Sequence, residues 1–290
     1  MMKTQAYPYK EFAPNTFEIG EFDCASVFLI VGEEKAMLMD TGVGIGDLKG
    51  FVQTLTDKPL MICYTHNHVD HVGNAGQFDH GYIHPRDMAD FNTGGGLGLD
   101  VAKRVGYIQW IAEREKGDYP YDLSVDVGEW GPEPTLYPLV DGDVIDLGNR
   151  KLTVYDCPGH TAGSITFLDE NTRTLFLGDA CNCNLGLFCT RMRGTPNFVS
   201  IEKALFYLKR LYDMRDQYDQ YYNGHYDFRA LGEPLGTDAL PDAITALEQI
   251  VAGTANIELK PSAFPGAPKQ HIVTIGRTSI SFDPAGIREE

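Results

Sequence analysis

The chain has 290 residues, 43% hydrophobic and 22% charged, the proportions of a soluble globular protein with a sizeable core. Net charge is −17 and the 24 basic residues are scattered, so no basic stripe exists to steer a polyanion, and nucleic acid is disfavoured as a substrate. No run approaches the roughly 20 apolar residues of a membrane span and the N-terminus has no apolar signal core, which excludes a membrane partner and makes the cytoplasm the expected location.

In chain order, residues 16–40 read as a hairpin, with Ser26-Val27-Phe28-Leu29-Ile30-Val31 and Lys35-Ala36-Met37-Leu38-Met39 around Gly32-Glu33-Glu34. It ends in Asp40-Thr41-Gly42, and a glycine-rich turn leads to a helix over 46–55. Residues 60–65 are a buried-strand candidate by length and apolar continuity. A histidine cluster follows, and then a strand at 81–83. The stretch 85–134 is less regular: Gly94-Gly95-Gly96 breaks it, a helix spans 101–115, and 119–134 is rich in Pro, Gly, Tyr and Trp. An excursion of that length is either a pocket wall, with Trp110, Trp130, Tyr119 and Tyr121 as candidates, or a surface insertion. Strands return at 135–139, 144–147 and 151–157, and a hairpin joins 165–168 to 172–177. An amphipathic helix covers 200–218, with Ile201, Ala204, Leu205 and Leu208 at helical spacing. A strand at 220–222, a helix at 239–251 and a strand pair within 271–283 complete what reads as one α/β domain over 1–290. The six cysteines lack disulfide-framework spacing and read as reduced thiols, Cys181 and Cys183 as loop thiols.

The chemistry concentrates in His66-Asn67-His68-Val69-Asp70-His71. Imidazoles and carboxylates are costly to bury without partners, and a bound cation satisfies several at once. Five apolar strands each lead to a residue able to bind or orient a metal: Asp40, His66, His160, Asp179 and His225. Sites of α/β proteins gather at the carboxyl ends of strands. Only His80, His84 and His271 of the eight histidines fall outside the hexapeptide and these strand ends; the first and last read as surface residues, and His84, before Pro85, as a turn or packing residue. His66 and His68 alternate along an extended turn, and His160 would complete a three-histidine site. Asp70, His71 and His225 can hold a second ion, and Asp179 suits a bridge. Two such ions can share one hydroxide near neutral pH while polarising a carbonyl or phosphoryl oxygen. Nitrogen and oxygen ligands without a thiolate fit zinc, and also iron or manganese. Asp40 is expected to accept hydrogen bonds that hold the histidine loop.

The motifs Asp40, His66-x-His68-x-Asp70-His71, Gly159-His160, Gly178-Asp179 and Gly224-His225 together resemble the metallo-β-lactamase superfamily. The resemblance implies a four-layer αββα sandwich, a dinuclear metal site at one edge, and hydrolysis of a small molecule by a metal-bridging hydroxide, with Asp70 and Asp179 as catalytic residues orienting it. Asp179 stands where true β-lactamases of the family carry cysteine or serine, and it resembles the branch of glyoxalase II-like thioesterases, lactonases and phosphodiesterases. Lactonases place a tyrosine where this chain has Asn182, and glyoxalase II-like enzymes end in a helical region where this chain ends in strand-like runs. The expected reaction is cleavage of a thioester, lactone or ester. β-Lactam or phosphodiester hydrolysis, an iron-dependent sulfur dioxygenase and a non-catalytic ligand-binding relative are the alternatives. Asn182, Phe188, Arg191 and Arg193 are the candidate substrate contacts.

Overall fold

The structure, a computed structural model, describes residues 6–226, 228–262 and 268–289. Its first sheet opens as an antiparallel meander of β1 (Tyr9–Ala13), β2 (Thr16–Gly20), β3 (Ser26–Val31) and β4 (Ala36–Met39). Then α1 (Leu48–Leu55) returns the chain so that β5 (Leu60–Cys63) lies parallel to β4. A single turn, α2 (Val69–Val72), precedes β6 (His80–Ile83), which is parallel to β5. The excursion follows as α3 (Pro85–Met88), α4 (Val101–Glu115) and α5 (Leu123–Asp126), before β7 (Thr135–Pro138) closes this sheet in the order β1-β2-β3-β4-β5-β6-β7.

The second sheet runs β8 (Val144–Asp146), β9 (Lys151–Asp156), β10 (Ile165–Asp169) and β11 (Thr174–Gly178), all antiparallel. The chain leaves it at β12 (Asn184–Gly186), crosses through α6 (Ile201–Asp213), and returns as β13 (Gln220–Asn223), parallel to β11. Last come α7 (Ala239–Ala252), β14 (Glu258–Lys260), β15 (Gln270–Ile275) and β16 (Thr278–Phe282).

Side-chain alternation along the strands builds the layers. Phe28, Ile30, Met37 and Met39 point inward and meet Val154, Phe167 and Phe176 of the second sheet in one buried cluster. The intervening Val27, Leu29 and Leu38 face the other way, against Leu48 and Val52 of α1 and Ile108 and Ile111 of α4. Leu175 and Leu177 likewise face outward onto Leu208 and Leu211 of α6 and Leu240 and Leu247 of α7. Three cores between four layers make an αββα sandwich.

Three local expectations change. Residues 16–40 form three strands, because Phe22 and Asp23 take left-handed conformations (φ 52° and 65°) that turn the chain tightly between β2 and β3. The helix expected to reach 218 stops at Asp213, where Arg173 draws the following loop to the β10–β11 turn by donating to Asp216 O at 2.6 Å. The expected C-terminal pair belongs to a four-stranded sheet ordered β12-β16-β15-β14, with β12 parallel to β16.

Two buried features tie the sheets together where strand ends meet. Ser26 N donates to Gly224 O at 2.8 Å and Ile165 N to Thr65 O at 3.0 Å. Arg229 makes a bidentate pair with Glu18 of β2, both bonds 2.8 Å, and also donates to Asn223 Oδ1 at 2.8 Å. The pair is almost fully buried, with side-chain exposures of 3% and 0%. It thereby clamps the loop after β13 onto the first sheet. Arg229→Met would strand the Glu18 carboxylate in the core, so a loss of about 3–5 kcal/mol of unfolding free energy is expected. Denaturant titration of the two proteins checks it, and an unchanged midpoint would contradict the clamp.

Candidate metal centre

The parallel pairs β4–β5 and β11–β13 send four strand ends toward one edge of the sandwich. Asp40 and Asp179 directly follow β4 and β11, whereas His66 and His160 lie several residues beyond β5 and β9. His68 is extended (φ −67°, ψ 153°) and serves as the N-cap position of α2, whose one turn carries Asp70 and His71. Two glycines leave room for this convergence. A Cβ on Gly224 would stand 2.4 Å from Asp179 Oδ1 and 2.8 Å from His71 Cε1, and one on Gly178 (φ 50°) would meet Thr65 at 2.7 Å.

The ligand-type atoms form three overlapping groups, each within 4.8 Å: His66, His68 and His160; His66, His71 and Asp179; and Asp70, His71 and His225. His160 Nε2 lies 2.9 Å from His68 Nδ1 and 3.6 Å from Asp179 Oδ2. On the other side, His225 Nε2 lies 3.1 Å from Asp179 Oδ2 and 3.6 Å from Asp70 Oδ2, and His71 Nε2 is 3.7 Å from Asp179 Oδ1. Asp179 therefore stands between the two sets.

Outer hydrogen bonds fix which nitrogen faces inward. Asp40, held at φ 61°, accepts from Thr65 N at 2.7 Å, from Thr65 Oγ1 at 2.8 Å and from His71 Nδ1 at 2.9 Å. His160 Nδ1 donates to Gly186 O at 2.9 Å, and His66 Nδ1 lies 3.0 Å from Thr65 Oγ1. The opposite ring nitrogens are left to the centre. His66 Nε2, His71 Nε2 and Asp179 Oδ1 are buried and have no hydrogen-bond partner. Orphaned buried polar atoms are rare in native proteins, and three on residues whose ligand atoms lie within 4.8 Å of one another fit divalent-cation binding.

The electrostatics agree. Burial, together with repulsion between the rings, holds His66 well below the usual imidazole range and brings His68 down to about 3. Burial lowers His160 as well, and these shifts favour the neutral lone-pair form that a metal takes. Burial alone would lower His71, but Asp70, Asp40 and Asp179 outweigh it and push the ring up to about 9. Burial would raise Asp179, yet His225 and His71 hold it well below the carboxylate range. Carboxylates crowded around His71 demand positive charge, and a divalent ion meets that demand.

The cluster floors a cavity of about 420 Å³. Of the expected substrate contacts, Asn182 and Phe188 line it and Arg191 and Arg193 do not. Arg191 stacks outside Phe188, 5.7 Å from the ring centroid, and Arg193 donates to Ala285 O at 3.0 Å and to Arg288 O at 2.5 Å in the C-terminal segment. Trp110 is part of the wall, with Tyr107, Ile111 and Arg114 on the same face of α4. Trp130 instead donates to Val72 O at 3.0 Å, capping α2, while Tyr119 and Tyr121 stack on each other beside Phe22. His84 Nδ1 caps α3 by accepting from Arg86 N at 3.2 Å. Cys181 and Cys183 are buried in the core beneath α6 and α7. Sequence reasoning missed Tyr107, whose hydroxyl donates to Asp70 Oδ2 at 2.6 Å, and the i, i+3, i+4, i+7 spacing of the α4 stripe was the available signal.

An αββα sandwich with histidines and carboxylates at the shared strand ends defines a metal-site protein of the α/β class. A sequence model of the Metallo-beta-lactamase superfamily matches residues 21–181, and the chain belongs to that superfamily. Acyl-coenzyme A thioesterase MBLAC2 of Homo sapiens is 30% identical over 198 residues, 62% of this chain and 68% of that protein. Among solved structures, the sec-alkylsulfatase Pisa1 from Pseudomonas sp. superposes with a TM-score of 0.60 at 14% identity, covering 85% of this chain and 42% of that one. The beta-lactamase from Chitinophaga pinensis gives 0.58 at 21% identity, covering 86% and 94%. These two likenesses speak to the fold. Among the described residues, no helix is long and apolar enough to cross a membrane.

Asp40→Asn keeps a side chain that tolerates the left-handed backbone but replaces one acceptor oxygen with a donor. The variant is expected to fold, by circular dichroism, and to bind metal about 10–100-fold more weakly in chelator competition. Undiminished affinity would show that Asp40 does not orient His71.

Proposed function

We propose that this chain is a metal-dependent hydrolase that cleaves the thioester of a small acyl carrier, with an acyl-coenzyme A as the first substrate to test. The observation that carries the reading is the convergence of His66 Nε2, His71 Nε2 and Asp179 Oδ1, buried and unpartnered, on the floor of a cavity. His66, His68 and His160 would hold one ion, Asp70, His71 and His225 a second, and Asp179 both. Donors of this type suit zinc, and also iron or manganese. Such ions supply a water activated near neutral pH and an electrophilic partner for a carbonyl oxygen.

The chain's own residues do the rest. Asp70 and Asp179 would accept hydrogens of the attacking water and fix its lone pair toward the carbonyl carbon. Leu97, Trp110, Ile111 and Phe188 give the cavity an apolar wall that accepts an acyl group and excludes bulk water. Asn182 Oδ1 is engaged by Asn184 N at 2.9 Å, which leaves its amide NH2 as the donor end toward a ligand. A thiol has a pKa of about 8.5, so a thiolate departs without a proton donor. That favours a thioester over bonds whose leaving group must be protonated. The thioesterase relative, at 30% identity, supports the same choice.

Thiol release from acyl-coenzyme A, followed with a chromogenic thiol reagent, is expected to be catalytic, to stop on exhaustive chelation and to return with zinc. In His68→Ala it should fall to background. Turnover surviving both chelation and His68→Ala would contradict a metal-dependent reaction, and thiol release from no acyl-coenzyme A would contradict the substrate.

A further inference from the structure

We infer that Tyr107 is a positioning residue that secures the second metal position by holding Asp70, making α4 a support for that ion as well as a cavity wall. Its hydroxyl donates to Asp70 Oδ2 at 2.6 Å, across 37 residues of chain. That oxygen is 3.6 Å from His225 Nε2 and 3.8 Å from His71 Nε2, beyond hydrogen-bond reach of either ring. Among the described residues, Tyr107 is thus the hydrogen-bond donor that fixes the carboxylate. A ligand carboxylate with a free torsion loses affinity to its own motion, and an outer hydrogen bond removes that freedom.

The helix is built to hold the phenol in place. One turn before Tyr107, Arg104 is buried and donates to three carbonyls: Leu99 O at 2.9 Å, Gly44 O at 3.3 Å and Gly128 O. Gly44 in turn abuts Gly73 O, the carbonyl just after α2, where an added Cβ would stand 2.8 Å away. Asp100 caps the first turn of α4 by accepting from Lys103 N at 3.0 Å. The helix that presents Tyr107 and the turn that carries Asp70 are therefore packed on the same loop. In the other set, His66 lies against Thr65 Oγ1, His160 donates to Gly186 O and Phe188 packs on His68 and His160, and among the described residues no hydrogen bond reaches these three rings from α4.

The inference rests on the two-ion reading above, and selective loss of one ion tests it. Full-length protein loaded with zinc is dialysed against graded chelator, and bound metal is counted by atomic spectroscopy. Wild type is expected to release its ions in two steps. Tyr107→Phe should release one ion at about 10–100-fold lower chelator activity and keep the other at the wild-type value. Val105→Ala, a packing change in the same helix, should leave both steps in place. Thermal unfolding of the chelated proteins reports whether Tyr107→Phe still folds. Equal weakening of both ions, no weakening, or the same selective loss in Val105→Ala would overturn the role of Tyr107. Should Tyr107→Phe not fold, Tyr107→Met serves instead: it removes the hydroxyl while keeping an apolar side chain of similar reach on α4, and must reproduce the selective loss. Wild type holding a single ion would overturn the two-ion reading itself, which is distinguishable from the other outcomes.

Discussion

Asp40 is the interaction on which the rest of the site depends. A carboxylate at a strand end, in a left-handed backbone conformation, collects the Thr65 amide, the Thr65 hydroxyl and the His71 ring. Buried carboxylates are costly unless their lone pairs are satisfied, and these three donors satisfy them while orienting the His71 ring and the loop that carries His66 and His68. Without that anchor, the segment 64–68 has no regular structure to place its imidazoles.

Burial has a second consequence. Five histidines and three carboxylates lie buried or nearly so beside one another, and burial with the neighbouring rings keeps protons off His66 and His68 while carboxylates attract one to His71. Such a set is more than the single pair of His71 with Asp40. It is balanced by an added cation, and the unpartnered atoms show where that charge belongs. The sandwich serves the same end: two parallel strand pairs, one in each sheet, point their carboxyl ends at a common edge, and Arg229 with Glu18 locks the edge closed.

Much of this was legible in the sequence because the candidate ligands come as short motifs after apolar strands. The continuous apolar runs of β3, β4 and β11 mark strands buried on both faces, and α4 was read with the boundaries it has. Less legible were β12 and β14, three-residue strands too short to show a period, and β1, whose residues are largely exposed. Arg191 and Arg193 lie close to Asp179 in sequence, but a turn of 3₁₀ helix at Phe188–Arg191 aims Phe188 into the cavity and leaves the arginines outside it. Tyr107 was hidden for the opposite reason. Its partner is 37 residues away, and an aromatic on a helical stripe reads as core until the two elements are packed.

X-ray absorption spectroscopy of the zinc-loaded protein tests the central claim most directly. The account predicts a shell of nitrogen and oxygen donors, rich in imidazole, with a second metal in the outer shell. A sulfur-containing shell, or a lone ion with no metal neighbour, would contradict it.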